Sequence, residues 1–353
     1  MDDIYKILSI QDAWRLNKSS TTEHFEATEF WQDDASGVIS VENRRIGSDP
    51  EERKLWLSQR TRGAQSLVVR FVWLTADVSK TEVDLSKQVK DQILDEFGLQ
   101  LAYRYFHSFT SGVSALPKII NDDFERQAFA FCFAPKLASI WSHTRFKDQA
   151  SGKTRPVTEG IIFNAKPSPS SDDPKVPRMS EMLSQLPCNP QVCCSPAFPA
   201  FLLSLHLGGQ IQKDQTKIVA EMQRVESRTG HHDFHRQENP KPDELNKLSA
   251  QVSGHANRLA SVSRKTAMIE ELLHFIRNTE RPGKKGSHQQ DPDENISASE
   301  SDGSSLLECF VKVLQGRLKM QKMETEYILK RVQVQMEAVR WPEVFFEGCS
   351  LTD

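Results

Sequence analysis

The chain has no run of about eighteen apolar residues, so no segment reads as a membrane-crossing helix. The nearest, AFPAFLLSLHLGG at Ala197–Gly209, is too short and contains Pro199 and His206. A secretory leader is not expected either. MDDIYKILSIQDAW is acidic where a signal peptide is basic, and no apolar stretch follows it. Charge of one sign is also missing. Lysine and arginine total 45 against 48 aspartate and glutamate, leaving −3, so no global field draws in nucleic acid or an anionic membrane. Cysteine is sparse, six in 353 residues, which argues for reduced thiols and a cytoplasmic setting rather than a disulfide framework. Cys188, Cys193 and Cys194 cluster in QLPCNPQVCCSP, but that spacing fits no zinc pattern and reads as free loop thiols.

The standard catalytic signatures are missing too: no GxSxG, GxGxxG, GxxxxGK[ST] or kinase-like set is present. No catalytic residue and no cofactor is expected. Ser111-Gly112-Val113-Ser114 lies in an apolar context without an adjoining base, and Lys136 and His143 read as packing or surface residues. His231, Asp233 and His235 in GHHDFH are the one weak metal-ligand candidate. His231 and His235 are four apart with a carboxylate between them. With no HExxH and no partner cysteines, and just after a glycine, they read better as a helix-ending turn.

What is present is mostly architecture. Residues 1–60 are mixed and polar and are expected as an extended arm. An α/β domain is expected over 61–180. Ser66–Leu74 (SLVVRFVWL) is β-branched, aromatic and continuous, as in a strand buried on both faces. Ala128–Phe133 and Gly160–Asn164 are further strands. Ser86–Glu96 is a helix with Val89, Ile93 and Leu94 on one face and Gly98 as its stop. Between these, LAYRYFHSF alternates in the manner of a strand.

Beyond the proline-rich KPSPSSDDPKVPR the chain reads helical. A long hairpin is expected over 181–280, a disordered acidic loop over 281–305, a long stalk-like helix over 306–340 and a non-helical tail over 341–353. From Leu245 to Ile276, Leu248, Val252, His255, Leu259, Val262, Thr266, Ile269 and Leu273 step by three and four, a seam of about four and a half heptads. That seam offers more apolar surface than one partner helix covers, so self-association is expected. Leu306–Val339 would span about 50 Å at roughly 1.5 Å per residue. Its Lys312, Arg317, Lys319, Lys322, Lys330, Arg331 and Arg340 outnumber its acids and read as a solvated face. The fold class is therefore α+β, followed by long helices packed antiparallel.

Five segments together resemble the cytosolic region of CorA-like magnesium-transporter-family proteins of filamentous fungi. They are LAYRYFHSFTSGVSALP (101–117), AFAFCFAPKLASIWSH (128–143), EMQRVESRTGHHDF (221–234), LSAQVSGHANRLASVSRKTAMIEELLHFI (248–276) and GRLKMQKMETEYILKRVQVQMEAV (316–339). The resemblance implies a CorA-like cytosolic funnel: an α/β domain followed by very long helices, leading in the family to two membrane helices, usually in a pentamer. It also implies that RTGHHDF is a helix connector. The family's Gly-Met-Asn pore signature does not occur here, nor do its membrane helices, so transport does not carry over. The leading expectation is a non-catalytic, soluble cytosolic-domain protein whose partners are further copies or a full-length membrane paralogue. A truncated or mis-spliced ion transporter is the alternative, and an enzyme with an unrecognised site is the third.

Overall fold

The computed structural model describes residues 16, 18–77, 80–106, 111–134, 136–147, 154–166, 179–185, 189–229, 242–280 and 299–340. It is an α+β structure with a mixed sheet and long helices. The chain divides into two compact units, Met1–Leu202 with Glu271–Cys309, and Leu203–Glu270 with Phe310–Asp353.

The first unit holds an 11-stranded sheet. Its strands are β1 (Lys18–Ser19), β2 (Phe25–Asp33), β3 (Ile39–Ile46), β4 (Thr61–Arg62), β5 (Gln65–Asp77), β6 (Glu82–Val83), β7 (Ser111–Ala115), β8 (Ile119–Ile120), β9 (Phe124–Phe133), β10 (Leu137–Lys147) and β11 (Thr154–Ala165). The path runs β1–β6–β5–β11–β10–β9–β7, with β2 joining β5 and β3 joining β2. The β5–β11 and β1–β6 pairs are parallel, and the remaining pairs are antiparallel. β5 is buried on both sides from Leu67 to Val72, as its apolar run, broken only by Arg70, requires.

One sheet face is covered by α1 (Pro50–Ser58), α2 (Lys87–Glu96) and α3 (Gln100–Phe106). Trp56, Val89, Ile93, Ala102 and Phe106 pack there on Val72, Leu74, Ala130, Ile140 and Phe163. Ser86 caps α2 by accepting from the Val89 amide, and Gly98 follows the helix at φ 65. A Cβ at Gly98 would lie 2.2 Å from a guanidinium nitrogen of Arg126, so glycine serves there for space as well as for φ. The opposite face carries Phe30, Phe129 and Trp141. It meets Phe198 at the start of α6 and Phe275 near the end of α7, at centroid distances of 5.7, 5.8 and 6.3 Å.

Two expectations about this unit are corrected. The polar arm contains β2, β3 and α1, so residues 18–58 belong to the folded unit. Its charges disguise a strand because Glu29 is buried against an arginine 41 residues away. LAYRYF forms helix α3: Ala102 and Phe106 are four apart and both buried, while the aromatics between them only mimic alternation.

The remaining helices are α4 (Met179–Gln185), α5 (Pro190–Cys193), α6 (Phe198–Thr229), α7 (Pro242–Glu280) and α8 (Ser299–Arg340). α5 lies where a cysteine loop was expected, with Asn189 as its cap. α8 begins inside the segment expected to be disordered, and 281–298 and 341–353 lie outside the described residues.

In the second unit, Ile218, Met222 and Val225 of α6, Leu248, Val252 and Leu259 of α7, and Ile328, Val332 and Val339 of α8 share one core. The ion pairs Arg228–Glu244, Arg258–Glu221 and Lys265–Asp214 ascend one helix while descending the other, so α6 and α7 are antiparallel as expected. α6 and α8 run parallel. The Gln215 amide donates to Gln321 O and Thr325 Oγ1 at 2.7 and 2.9 Å, Arg331 forks onto Glu226 at 2.9 and 2.6 Å, and Thr229 Oγ1 donates to Gln335 at 2.6 Å. The heptad seam of α7 is buried within the chain from Leu248 to Ile276 and leaves no broad apolar surface free.

Candidate functional site

Three features of the described residues could carry function: a charged row inside the sheet, a cavity at its β7–β9–β10 side and an exposed stripe on α8.

The charged row lies across three strands. Arg70 on β5 sits directly between Glu29 on β2 and Glu159 on β11. Its Nε donates to Glu29 at 2.9 Å, Nη2 lies 2.8 Å from the same carboxylate, and Nη1 reaches Glu159 at 3.4 Å. It also donates to Leu57 O and Gln59 O at 3.2 and 2.8 Å, carbonyls at the end of α1 that have no helical partner. Its guanidinium stacks 4.3 Å from the Trp56 ring centroid. Arg60 supplies a second cation to Glu159 at 2.9 Å. Burial is the largest influence on both Arg70 and Glu159 and pushes each toward its neutral form, with the opposite charges pulling back. Arg70 is engaged on all three guanidinium nitrogens, so the row holds strands and α1 together; Glu29 Oε2 and Arg60 Nε are left without a hydrogen-bond partner but are buried and line no part of the β7–β9–β10 cavity.

The cavity measures about 600 Å³ and lies wholly in the first unit, between β7, β9 and β10 on one side and the last turns of α7 on the other. Phe129 and Phe275 supply its apolar wall. Most of its polar side chains are engaged: Lys118 holds Glu125 at 2.7 Å, the Gln127 amide donates to Leu116 O, and Asn278 bonds His274. Three groups are not. Arg145 and Glu271 have no ion pair among the described residues, and His143 Nε2 is buried without a hydrogen-bond partner. His143 Nδ1 lies 3.0 Å from Thr158 Oγ1. Burial holds its imidazole far below the usual value, at about 3, so it is neutral.

Ser114 and His143, set aside in the sequence, both line this cavity. They do not form a nucleophile–base pair. Ser114 registers with Ala130, and Ala130 with Ile140, on the α2–α3 face. His143 registers with Gln127 and Thr158 on the other. Lys136 is an exposed turn residue. Cys193 is buried in α5, and burial raises the Cys194 thiol to about 11, which keeps it protonated. Cys188, His231, Asp233 and His235 lie outside the described residues. Among the described residues no group of three or more His, Cys, Asp and Glu could hold a metal. No sequence signal marked Arg145 or Glu271, because their shared wall joins segments more than a hundred residues apart.

The third feature is on α8. Its core-facing row of Leu318, Ile328 and Val332 is buried, yet Val313, Met320, Tyr327 and Val334 are 70%, 71%, 56% and 52% exposed at every seventh position, with Met323 beside them at 63%. This second apolar row keeps the coiled-coil period. Of the basic residues expected on a solvated face, Lys312, Arg317, Lys319 and Lys330 are exposed, while Lys322 pairs with Glu270 and Arg331 with Glu226. No described helix is long and apolar enough to cross a membrane. No protein-family model matches the chain, and comparison with curated proteins finds no match.

Proposed function

We propose that the chain is a non-catalytic assembly protein of CorA-like cytosolic-domain character, acting in the cytoplasm through association of its long helices. The observation that carries this reading is the exposed apolar row of Val313, Met320, Tyr327 and Val334. A single helix turning a row of period seven to water has the surface of an unfilled coiled coil. The occupant we infer is a second copy of the same helix. In a parallel, in-register pair, Lys319 would face Glu324 of the second copy, against one like-charged pair, Lys312 with Arg317, while Arg331 stays with Glu226 of its own chain. The sheet residues Ser114 and His143 support a non-catalytic role, because their rows lie on opposite faces. The resemblance of 316–339 to a transporter stalk supports a second reading, a fragment of an ion transporter or a companion to a full-length membrane paralogue.

Light scattering on the full chain at about 50 µM tests the assembly. An oligomer that a Met320→Glu, Tyr327→Glu double variant converts to monomer supports the reading, since each charge would be desolvated in the seam. A clean monomer for the parent chain would overturn it. Carbonate-resistant membrane association in cells would refute the cytoplasmic assignment. Transcripts that continue in frame past Val339 into two apolar runs would favour the fragment.

A further inference from the structure

We infer that the cavity between β7, β9, β10 and the end of α7 binds a free amino acid with an apolar or aromatic side chain. The inference is independent of self-association. Its ground is which groups in the wall remain unengaged. Lys118 and Glu125 pair directly at 2.7 Å; Arg145 lies across the strands from Glu125 and acts on it and on Glu280 through space, but like Glu271 it makes no direct ion pair among the described residues. Arg145 and Glu271 come from different elements, β10 and α7. A wall with one cation and one anion whose hydrogen-bonding groups are not taken up by a direct ion pair suits a ligand that carries both charges. A carboxylate takes the guanidinium fork in two parallel hydrogen bonds, and an ammonium donates to the Glu271 carboxylate.

The apolar part of the ligand has a place as well. Phe129 and Phe275 meet edge to face at 5.8 Å, and Phe129 stacks on Trp141 at 5.3 Å, so the aromatic wall is fixed from behind. His143 is a buried polar group with one ring nitrogen unpartnered, an arrangement that costs stability unless something else satisfies it. The volume, about 600 Å³, lies within the range of small-molecule sites and exceeds what one amino acid needs, leaving room for bridging water.

Calorimetric titration of the full chain with L-phenylalanine tests this, with 3-phenylpropionate, which lacks the ammonium, and phenethylamine, which lacks the carboxylate, as comparators. We expect saturable binding of L-phenylalanine and at least about tenfold weaker binding of each comparator, the cost of one lost charged hydrogen bond. Arg145→Gln and Glu271→Gln are each expected to weaken L-phenylalanine by about tenfold. Both side chains are exposed, so unchanged melting of the two variants separates a lost contact from lost folding. The proposal is overturned if L-phenylalanine shows no saturable heat up to about 10 mM, where even weak fragments register. It is also overturned if 3-phenylpropionate or phenethylamine binds as well as the zwitterion, or if neither variant changes the affinity.

Discussion

The two units solve the problem of burying polar groups in opposite ways. In the sheet unit the buried polar groups include a contiguous row of charges: Glu29, Arg70 and Glu159 lie side by side with essentially no exposure, and the strands that carry them are far apart in sequence. In the helix unit the buried polar groups are mainly neutral amides and hydroxyls, Gln215, Gln321, Thr325 and Gln335, occupying slots of heptad rows otherwise filled by leucine, isoleucine and valine. A buried charge row is all or none, because losing one member strands the others. A buried amide rung can be lost with modest cost, and its main role is to fix which residues face each other along α6 and α8.

Breaking the row should give the largest effect. Arg70→Met leaves buried Glu29 and the Gln59 carbonyl without their main partner and Glu159 and the Leu57 carbonyl with Arg60 alone, and a loss of about 3–5 kcal/mol is expected in urea unfolding. A loss below about 1 kcal/mol would show that the row is peripheral.

Acid should separate the units next. His206 is held at about 4 by burial and then by Lys265, and His255 is also lowered by burial, with Glu221 opposing. Both lie in the helix unit. A histidine with a depressed folded pKa contributes stability that is present above its unfolded value and lost as pH falls below about 6.5. At pH 5.5 His206 alone should cost the helix unit about 1.4 kcal/mol, and His255 adds to the loss in the same direction. In the sheet unit His143 acts in the same direction, but Glu159 and Glu280 are raised by burial and gain stability on protonation, offsetting it. Monitored by hydrogen exchange from pH 7 to 5, α6–α8 should lose protection before β5, β10 and β11. The reverse order would break the comparison.

The smallest effect is expected from Gln215→Leu. It removes two hydrogen bonds to α8 but adds apolar volume to an apolar seam, for a net cost of about 1–2 kcal/mol. A cost like that of Arg70→Met would show that the two units bury polar groups on the same terms.

The same contrast explains what the sequence revealed. α2 was readable to its caps because Ser86, Val89, Ile93, Leu94 and Gly98 act within a dozen residues. β5 was readable because its run is apolar on both faces except at Arg70, and the α7 seam because its period is local. β2 was not, since TEFW carries a glutamate whose main partner, Arg70, comes from β5. The candidate cavity was still less so. Ser114 and His143 could be named, but only the register shows that they face apart, and Arg145 and Glu271 line one wall that joins two distant segments. The exposed row on α8 hid for a different reason. Val313, Met320 and Tyr327 look like ordinary members of an amphipathic helix until a second, fully buried row is seen beside them.

The two units are also interleaved along the chain, the second segment of the first unit lying between the two segments of the second. Neither can be cut out as one continuous piece. Residues 1–202 expressed alone would carry the whole sheet, yet Phe275, which lies against Phe129 and Trp141, would be left behind. On a ribosome the sheet therefore waits, with that aromatic face uncovered, until α7 is nearly complete. α6 then waits longer still for α8, to which it is joined by contacts spanning 105 to 113 residues. Such a chain matures late and as a whole, and the interval before α8 arrives is when its apolar surfaces most need protection from one another.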